Sequence, residues 1–275
     1  MKSDIIFGQY VEGDSLIHRL DPRIKIIAAF LYIVVIFLAK SATAFALLTL
    51  SAIVFVLMTR IPPRMIFRAM KPLIFIILFT AVINLFFMTG EHPVFQLGFI
   101  KIYREGIVNA FLIVLRILLL IVATSVFLTY TTTPIALTDA LESLLSPLKK
   151  LHVPVHEFSM MMTIALRFIP TLIDETQKII NAQTARGADF TSGGLIQRGK
   201  ALIPILIPLF ISAFRRADEL ATAMECRCYT GGEGRTRMNT LKSEPKDWAF
   251  LCVIVLLGAA VVLLNRFFPL VTIQL

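Results

Sequence analysis

Two arginines are set among neighbours that suit a specific kind of grip. Arg186 lies in Asn181-Ala182-Gln183-Thr184-Ala185-Arg186-Gly187-Ala188-Asp189, and Arg227 in Ala223-Met224-Glu225-Cys226-Arg227-Cys228-Tyr229. The flanking residues are small in both cases, Ala185 and Gly187 in one, Cys226 and Cys228 in the other. A guanidinium is a planar fork of donors that holds a carboxylate or backbone carbonyls bidentately, and small flanks let a neighbouring protein surface close around it. Each arginine also falls at the end of a helical pattern, where a cation complements the helix dipole. For either one alone, capping by a solvated arginine is the plainer account. Two such ends in one chain suit a protein that grips two related partners.

Other chemistry is thinly represented. No Gly-Lys-Ser/Thr follows a glycine-rich stretch, so the chain is expected to hold no nucleotide itself, and Gly231-Gly232-Glu233-Gly234 reads as a flexible turn. His18, His92, His152 and His156 are scattered. His152 and His156 have the spacing of a helical ligand pair, but Pro154 lies between them and a third ligand is missing. Cys226, Cys228 and Cys252 read as reduced, packable residues, with a Cys-x-Cys metal site as the alternative. No nucleophile stands with a base. The expectation is therefore no catalytic, cofactor or metal residue on this chain. Arg116 is the one charge deep in an apolar run, where it costs roughly 2.5–3.5 kcal/mol to insert. It is expected to pair with a neighbouring helix carbonyl or with Asn84, direct substrate contact being the alternative.

The elements that must carry the two arginines are long amphipathic helices. Apolar residues recur at Phe158, Met161, Met162, Ala165, Phe168, Ile169, Leu172, Ile173 and Ile180. A second series runs Leu202, Ile203, Leu206, Leu209, Phe210, Ala213, Phe214, Ala217, Leu220, Ala221 and Met224. Both have the three-and-four spacing of one helical face. Arg215, Arg216, Asp218 and Glu219 fall on the opposite face of the second helix. The apolar parts of both are about a dozen residues, roughly 20 Å of helix, too short for a ~30 Å hydrocarbon core. They are expected to lie along or beneath the cytoplasmic interface, the alternative being membrane helices kinked at Pro170, Pro204 and Pro208.

The rest of the chain reads as membrane. It is 57% hydrophobic over 275 residues, with a mean hydropathy of +0.81. Its apolar runs are long enough for an all-α polytopic membrane protein. Asp21 is a good N-cap and Pro22 a good first helical residue. They open a first span to about residue 39, and a turn at Lys40-Ser41 leads to a second over 42–59. Further spans are expected at 72–89, 106–130 and 248–265, five in all. No cleavable leader is evident in the polar first twenty residues. The segment from Arg60 to Lys71 carries Arg60, Arg64, Arg68 and Lys71 and no acid, which places it in the cytoplasm. The N-terminus then lies inside. The resulting organisation is a membrane domain over 1–130, a cytoplasmic domain of long amphipathic coupling helices over 131–247, and a last span over 248–275. The net charge of +9 follows from topology, and nucleic acid is not an expected partner; the lipid bilayer is.

At this point the chain resembles a known family, the T component (EcfT) of energy-coupling factor transporters, ABC-type importers of vitamins and some metals. The residues that carry the resemblance are His18-Arg19-Leu20-Asp21-Pro22-Arg23, Ala185-Arg186-Gly187, Arg215-Arg216-Ala217-Asp218-Glu219-Leu220, Glu225-Cys226-Arg227-Cys228-Tyr229, and Gly231-Gly232 followed by Arg235-Thr236-Arg237. The Cys-Arg-Cys tip departs from the family pattern, which usually has Ala or Gly beside the arginine. The resemblance implies a non-catalytic subunit in a prokaryotic cell membrane. Its partners would be two ATP-binding subunits of the EcfA and EcfA' type, which carry ATP and Mg, and interchangeable membrane S components that capture substrate. Ala185, Arg186, Gly187, Cys226, Arg227 and Cys228 would enter grooves on the ATPases. Met160, Met161, Met162, Phe168, Leu206 and Phe210, on the apolar faces, would meet the S component. A soft methionine patch suits several partners in turn, though plain core packing is the simpler role. A dedicated T subunit of a cobalt or nickel importer shares these features. A stand-alone secondary carrier would want inverted repeats and more intramembrane charge, and a membrane enzyme would want an acid–base constellation.

Overall fold

The computed structural model describes residues 10–11, 13–87, 93–97, 100–151, 153–190, 194–231, 241 and 243–267. The described chain is all-α apart from one small hairpin. Its helices are α1 (Pro22–Leu38), α2 (Ala42–Thr59), α3 (Pro63–Met70), α4 (Ile74–Phe87), α5 (Arg104–Thr124), α6 (Pro134–Leu145), α7 (Val155–Ala185), α8 (Leu195–Cys226) and α9 (Pro245–Phe267). A 3₁₀ turn joins α3 to α4, a π-helical turn over Ser125–Thr129 ends α5, and a 3₁₀ segment over Ser146–Leu151 follows α6. Strands β1 (Pro93–Leu97) and β2 (Ile100–Tyr103) pair antiparallel between α4 and α5, with a bulge between Pro93 and Phe95. Between the spans expected at 72–89 and 106–130 the sequence pattern predicts no strand.

The chain separates into two compact units, residues 1–140 with 240–275, and residues 141–239. The first unit is built around α1. Asp21 caps it, accepting from the Arg23 N–H at 2.9 Å, with Pro22 at the first position. Ala28, Tyr32 and Ile36 on α1 are fully buried. Tyr32 and Phe55 meet edge to face with ring centroids 5.7 Å apart, Tyr32 and Phe127 do so at 5.6 Å, and Phe250 joins from α9 at 5.8 Å from Phe127. Gly258 brings α9 close to α1, since a Cβ there would stand 2.9 Å from a Val35 methyl. Small residues at a membrane helix contact let backbones approach in this way.

Polar bonds fasten both ends of α1. At its start, the buried Lys25 ammonium donates to the carbonyls of His18 at 3.0 Å and Thr131 at 2.8 Å. The buried Asp247 carboxylate accepts from the Asp21 N–H at 3.0 Å. At its end, the Asn265 carbonyl oxygen accepts from the N–H groups of Lys40 and Ser41, both at 3.1 Å, and its amide donates to Leu38 O at 2.7 Å. Arg116 donates to Ala39 O at 2.7 Å and lies over the Phe45 ring at 5.4 Å. A helix carbonyl is thus the arginine's partner, while Asn84 donates to Thr80 O within its own helix.

Five helical stretches among the described residues are long and apolar enough to cross a membrane: Ala42–Thr59, Pro63–Phe86, Arg104–Thr129, Ile196–Cys226 and Pro245–Phe267. The expected number is recovered with one exchange of membership. At 17 residues α1 is one residue shorter than α2, about 25 Å of helix against about 27 Å, and stands at the lower limit of spanning length. α8 qualifies because its 32 residues extend beyond both ends of the dozen-residue apolar run, through Pro204 and Pro208 without a break.

Candidate functional site: two arginine-tipped helix ends

The second unit contains α7 and α8, of 31 and 32 residues, packed against each other. Neither is broken by its internal prolines, Pro170 in α7 and Pro204 and Pro208 in α8. Apolar contact and side-chain bonds to the partner helix offset the lost backbone bonds.

Both helices stop by the same device. α7 has Arg186 at the C-cap. The Gly187 N–H donates to Thr184 O at 2.9 Å, the Ala188 N–H donates to Gln183 O at 3.0 Å, and Gly187 takes φ +87°. α8 has Arg227 at the C-cap, the Cys228 N–H donating to Glu225 O at 2.9 Å and the Tyr229 N–H to Met224 O at 3.0 Å, with Cys228 at φ +56°. This pair of bonds, closed by a left-handed residue, is the Schellman ending. It satisfies the Gln183 and Thr184 carbonyls in α7 and the Met224 and Glu225 carbonyls in α8 without either guanidinium. Ala185, Arg186, Gly187, Cys226, Arg227 and Cys228 are all exposed. Among the described residues neither guanidinium has a side-chain partner, so each tip presents an exposed fork between small residues, next to the negative end of its helix.

A polar clamp ties the helices together below the tips. Glu175 of α7 accepts from the Ser212 hydroxyl of α8 at 2.7 Å through one oxygen and from the Arg216 guanidinium through the other. The bond from Ser212 and then that from Arg216 hold the Glu175 carboxyl below its ordinary range. The sequence pattern puts Arg216 on the face of α8 opposite the apolar one and marks no role for Glu175. The signal available was the i,i+4 spacing of Ser212 and Arg216, which puts both on one side of α8.

The apolar faces are largely open. Met161, Met162, Leu206 and Phe210 are exposed, while Met160 and Phe168 are half-buried. Leu206, Ile207 and Phe210 line a shallow groove with Leu172 and Leu209. The structure brings Leu206 and Phe210 together there, and Met160, Met161 and Met162 lie in the first turns of α7, outside that lining.

Among the described residues no group of three His, Cys, Asp or Glu side chains is placed to hold a metal. His156 pairs with Glu142 at 3.1 Å. The other half of the histidine pair, His152, lies outside the described residues, as do His92, Gly232 to Gly234 and Arg235 to Arg237.

The family model for CbiQ, described as a cobalt transport protein, matches residues 13–238. The energy-coupling factor transporter transmembrane protein EcfT of Ruminiclostridium cellulolyticum is 53% identical over 268 residues, 98% of this chain and 100% of that protein. The protein of the same name from Clostridium kluyveri is 52% identical over 258 residues, 93% of this chain and 95% of its own length. That of Bacillus subtilis is 51% identical over 260 residues, 94% and 97% of the two chains. Matches of this length and identity, over a chain whose described residues include five membrane-length helical stretches and arginine-tipped ends on α7 and α8, place the chain in the CbiQ/EcfT family of transporter transmembrane components.

Proposed function

We propose that this chain is the membrane scaffold of an energy-coupling factor importer for vitamins or other micronutrients. It transmits ATP-driven motion from two ATPase subunits to a substrate-binding S component. The observation that carries the proposal is the pair of matching tips. Arg186 and Arg227 are both exposed, both flanked by small residues, and both at helix ends closed by Schellman bonds from the backbone. An arginine held in this way is free to bind a carboxylate or carbonyls in a partner's groove. Two of them suit two related ATPases, on which ATP and Mg are bound and hydrolysed.

In this reading residues 1–130 and 248–275 anchor the chain in the cell membrane with its N-terminus in the cytoplasm, and residues 131–247 form the coupling domain. The exposed apolar side chains Met161, Met162, Leu206 and Phe210, with Met160 and Phe168 beside them, meet the S component. The description of the matching family as a cobalt transport protein favours one second reading, a dedicated cobalt or nickel importer with the same mechanics.

Purification of the tagged chain from native membranes in mild detergent, followed by mass spectrometry, tests the proposal. Two different ATP-binding proteins with a mixture of small membrane proteins are expected. One constant membrane partner, together with cobalt or nickel uptake, would establish the dedicated importer. A chain that purifies alone, from detergent that preserves such complexes, would overturn both.

A further inference from the structure

The clamp between α7 and α8 sits at matching places on the two helices. Glu175 stands eleven residues before Arg186, and Arg216 stands eleven residues before Arg227. Eleven residues are about three turns, ~16 Å of rise, with a residual rotation of roughly 20°. Each arginine therefore returns to nearly the same side of its helix as the clamp, at the same axial distance from it. Ser212, one turn before Arg216, occupies the second carboxylate oxygen, so the contact is held at two points.

Apolar packing alone would not fix this relationship. Apolar burial is non-directional, so the register of two apolar faces is specified by polar bonds between them. Leu172 against Leu209 and its neighbours form an open groove that tolerates sliding. A carboxylate held by a hydroxyl and a guanidinium is short-ranged and directional.

We infer that Glu175 is a positioning residue that joins α7 and α8 into one lever, its carboxylate held by Ser212 and Arg216 so that the two arginine tips move together. Its consequence for transport rests on the scaffold function proposed above; the mechanical link does not, and is measured on the chain alone.

The full chain in nanodiscs carries spin labels at Ala185→Cys and at Cys226, in a background of Cys228→Ser and Cys252→Ser. Pulsed electron paramagnetic resonance then reads the tip-to-tip distance. A narrow distribution is expected with Glu175 present, a broad one in Glu175→Ala, and a narrow one again in the charge swap Glu175→Arg/Arg216→Glu. Equal widths with and without Glu175, or a swap that stays broad, would overturn the inference. In the assembled complex, Glu175→Ala should keep its ATPase subunits and lose about tenfold in transport per ATP, the scale of one charge-assisted bond. An unchanged ratio would also overturn it. If the native chain recruits no ATPases the scaffold reading fails, and the distance measurement still decides the link.

Discussion

Gly187 and Cys228 occupy the same place on two different helices. Each follows the C-cap arginine, each takes a positive φ, and each donates its N–H to the carbonyl three residues back. Glycine enters this region freely, whereas a residue with a Cβ is strained there by roughly 1–2 kcal/mol. Cys228→Gly should therefore slow amide exchange over residues 224–229, by about 1 kcal/mol of local protection. Gly187→Ala should do the reverse over 183–188. A Cβ added at Gly187 would meet nothing within 4 Å, so that loss is conformational and not steric. Unchanged exchange in both variants would show that the caps are not held as described.

The grip of the tips, as opposed to their charge, is separable by a conservative change. Lysine keeps the positive charge beside the helix dipole but loses the planar fork. If Arg186 and Arg227 serve only the dipole, Arg186→Lys and Arg227→Lys should leave ATPase recruitment intact. The proposed function predicts weakened recruitment in each, and a greater loss in Arg186→Glu or Arg227→Glu, where reversed charge in a tight groove costs roughly 2–5 kcal/mol. Co-purification titrated against salt reads the difference. Lysine variants indistinguishable from the native chain would remove the bidentate model.

What could be read from residue order was local. Asp21-Pro22 opens α1, Ser41 caps α2 with its hydroxyl accepting from Ala44 N–H, and the second span runs over 42–59 as expected. These features depend on neighbours a few residues apart. Contacts between distant segments were not legible. Asp247 and Asn265 look like stray polar residues at the ends of the last span, yet they bond backbone groups of Asp21 and Ser41, over 200 residues earlier. Arg216 shares a polar face with Arg215, Asp218 and Glu219, and only the approach of α7 selects it. The hydrophobic pattern marks which face of a helix is apolar, and it does not say whether lipid or protein covers it.

Arg116 and Asn265 hold the same turn from two helices, Arg116 at Ala39 O and Asn265 at Leu38 O and the amides of Lys40 and Ser41. Removing Arg116 leaves the carbonyl of the buried Ala39, and removing Asn265 the N–H of the buried Ser41, without a partner, at about 1–3 kcal/mol each. Arg116→Ala and Asn265→Ala should each lower the melting temperature of the purified chain. Because they share one turn, the double variant should cost less than the two losses added. Strict additivity would mean that the turn is not their common object. Normal transport per folded Arg116→Ala molecule would also exclude substrate contact by this arginine.

The N-terminal segment should loosen in acid through His18. Its Nε2 lies 3.0 Å from the Val11 carbonyl, which can only accept, so Nε2 carries the proton. Nδ1, 2.6 Å from the Ser15 hydroxyl, then accepts. The ring is thus held as the neutral tautomer, with Tyr10 edge-on at 6.2 Å. Burial, the largest cause, and the nearby Lys25 charge lower its pKa beneath the ordinary 6.5, against the opposing pull of the Val11 and Tyr130 backbones and Asp14. A lowered histidine pKa means the unfolded segment takes up the proton first. The stabilisation is present above the unfolded value near 6.5 and is lost as pH falls through the folded value. Amide protection at Val11, whose N–H donates to Tyr130 O at 3.0 Å, should decline through that window after correction for intrinsic exchange. His18→Gln, which keeps a donor but cannot titrate, should flatten the profile. Identical profiles in the two proteins would assign the acid response to another group.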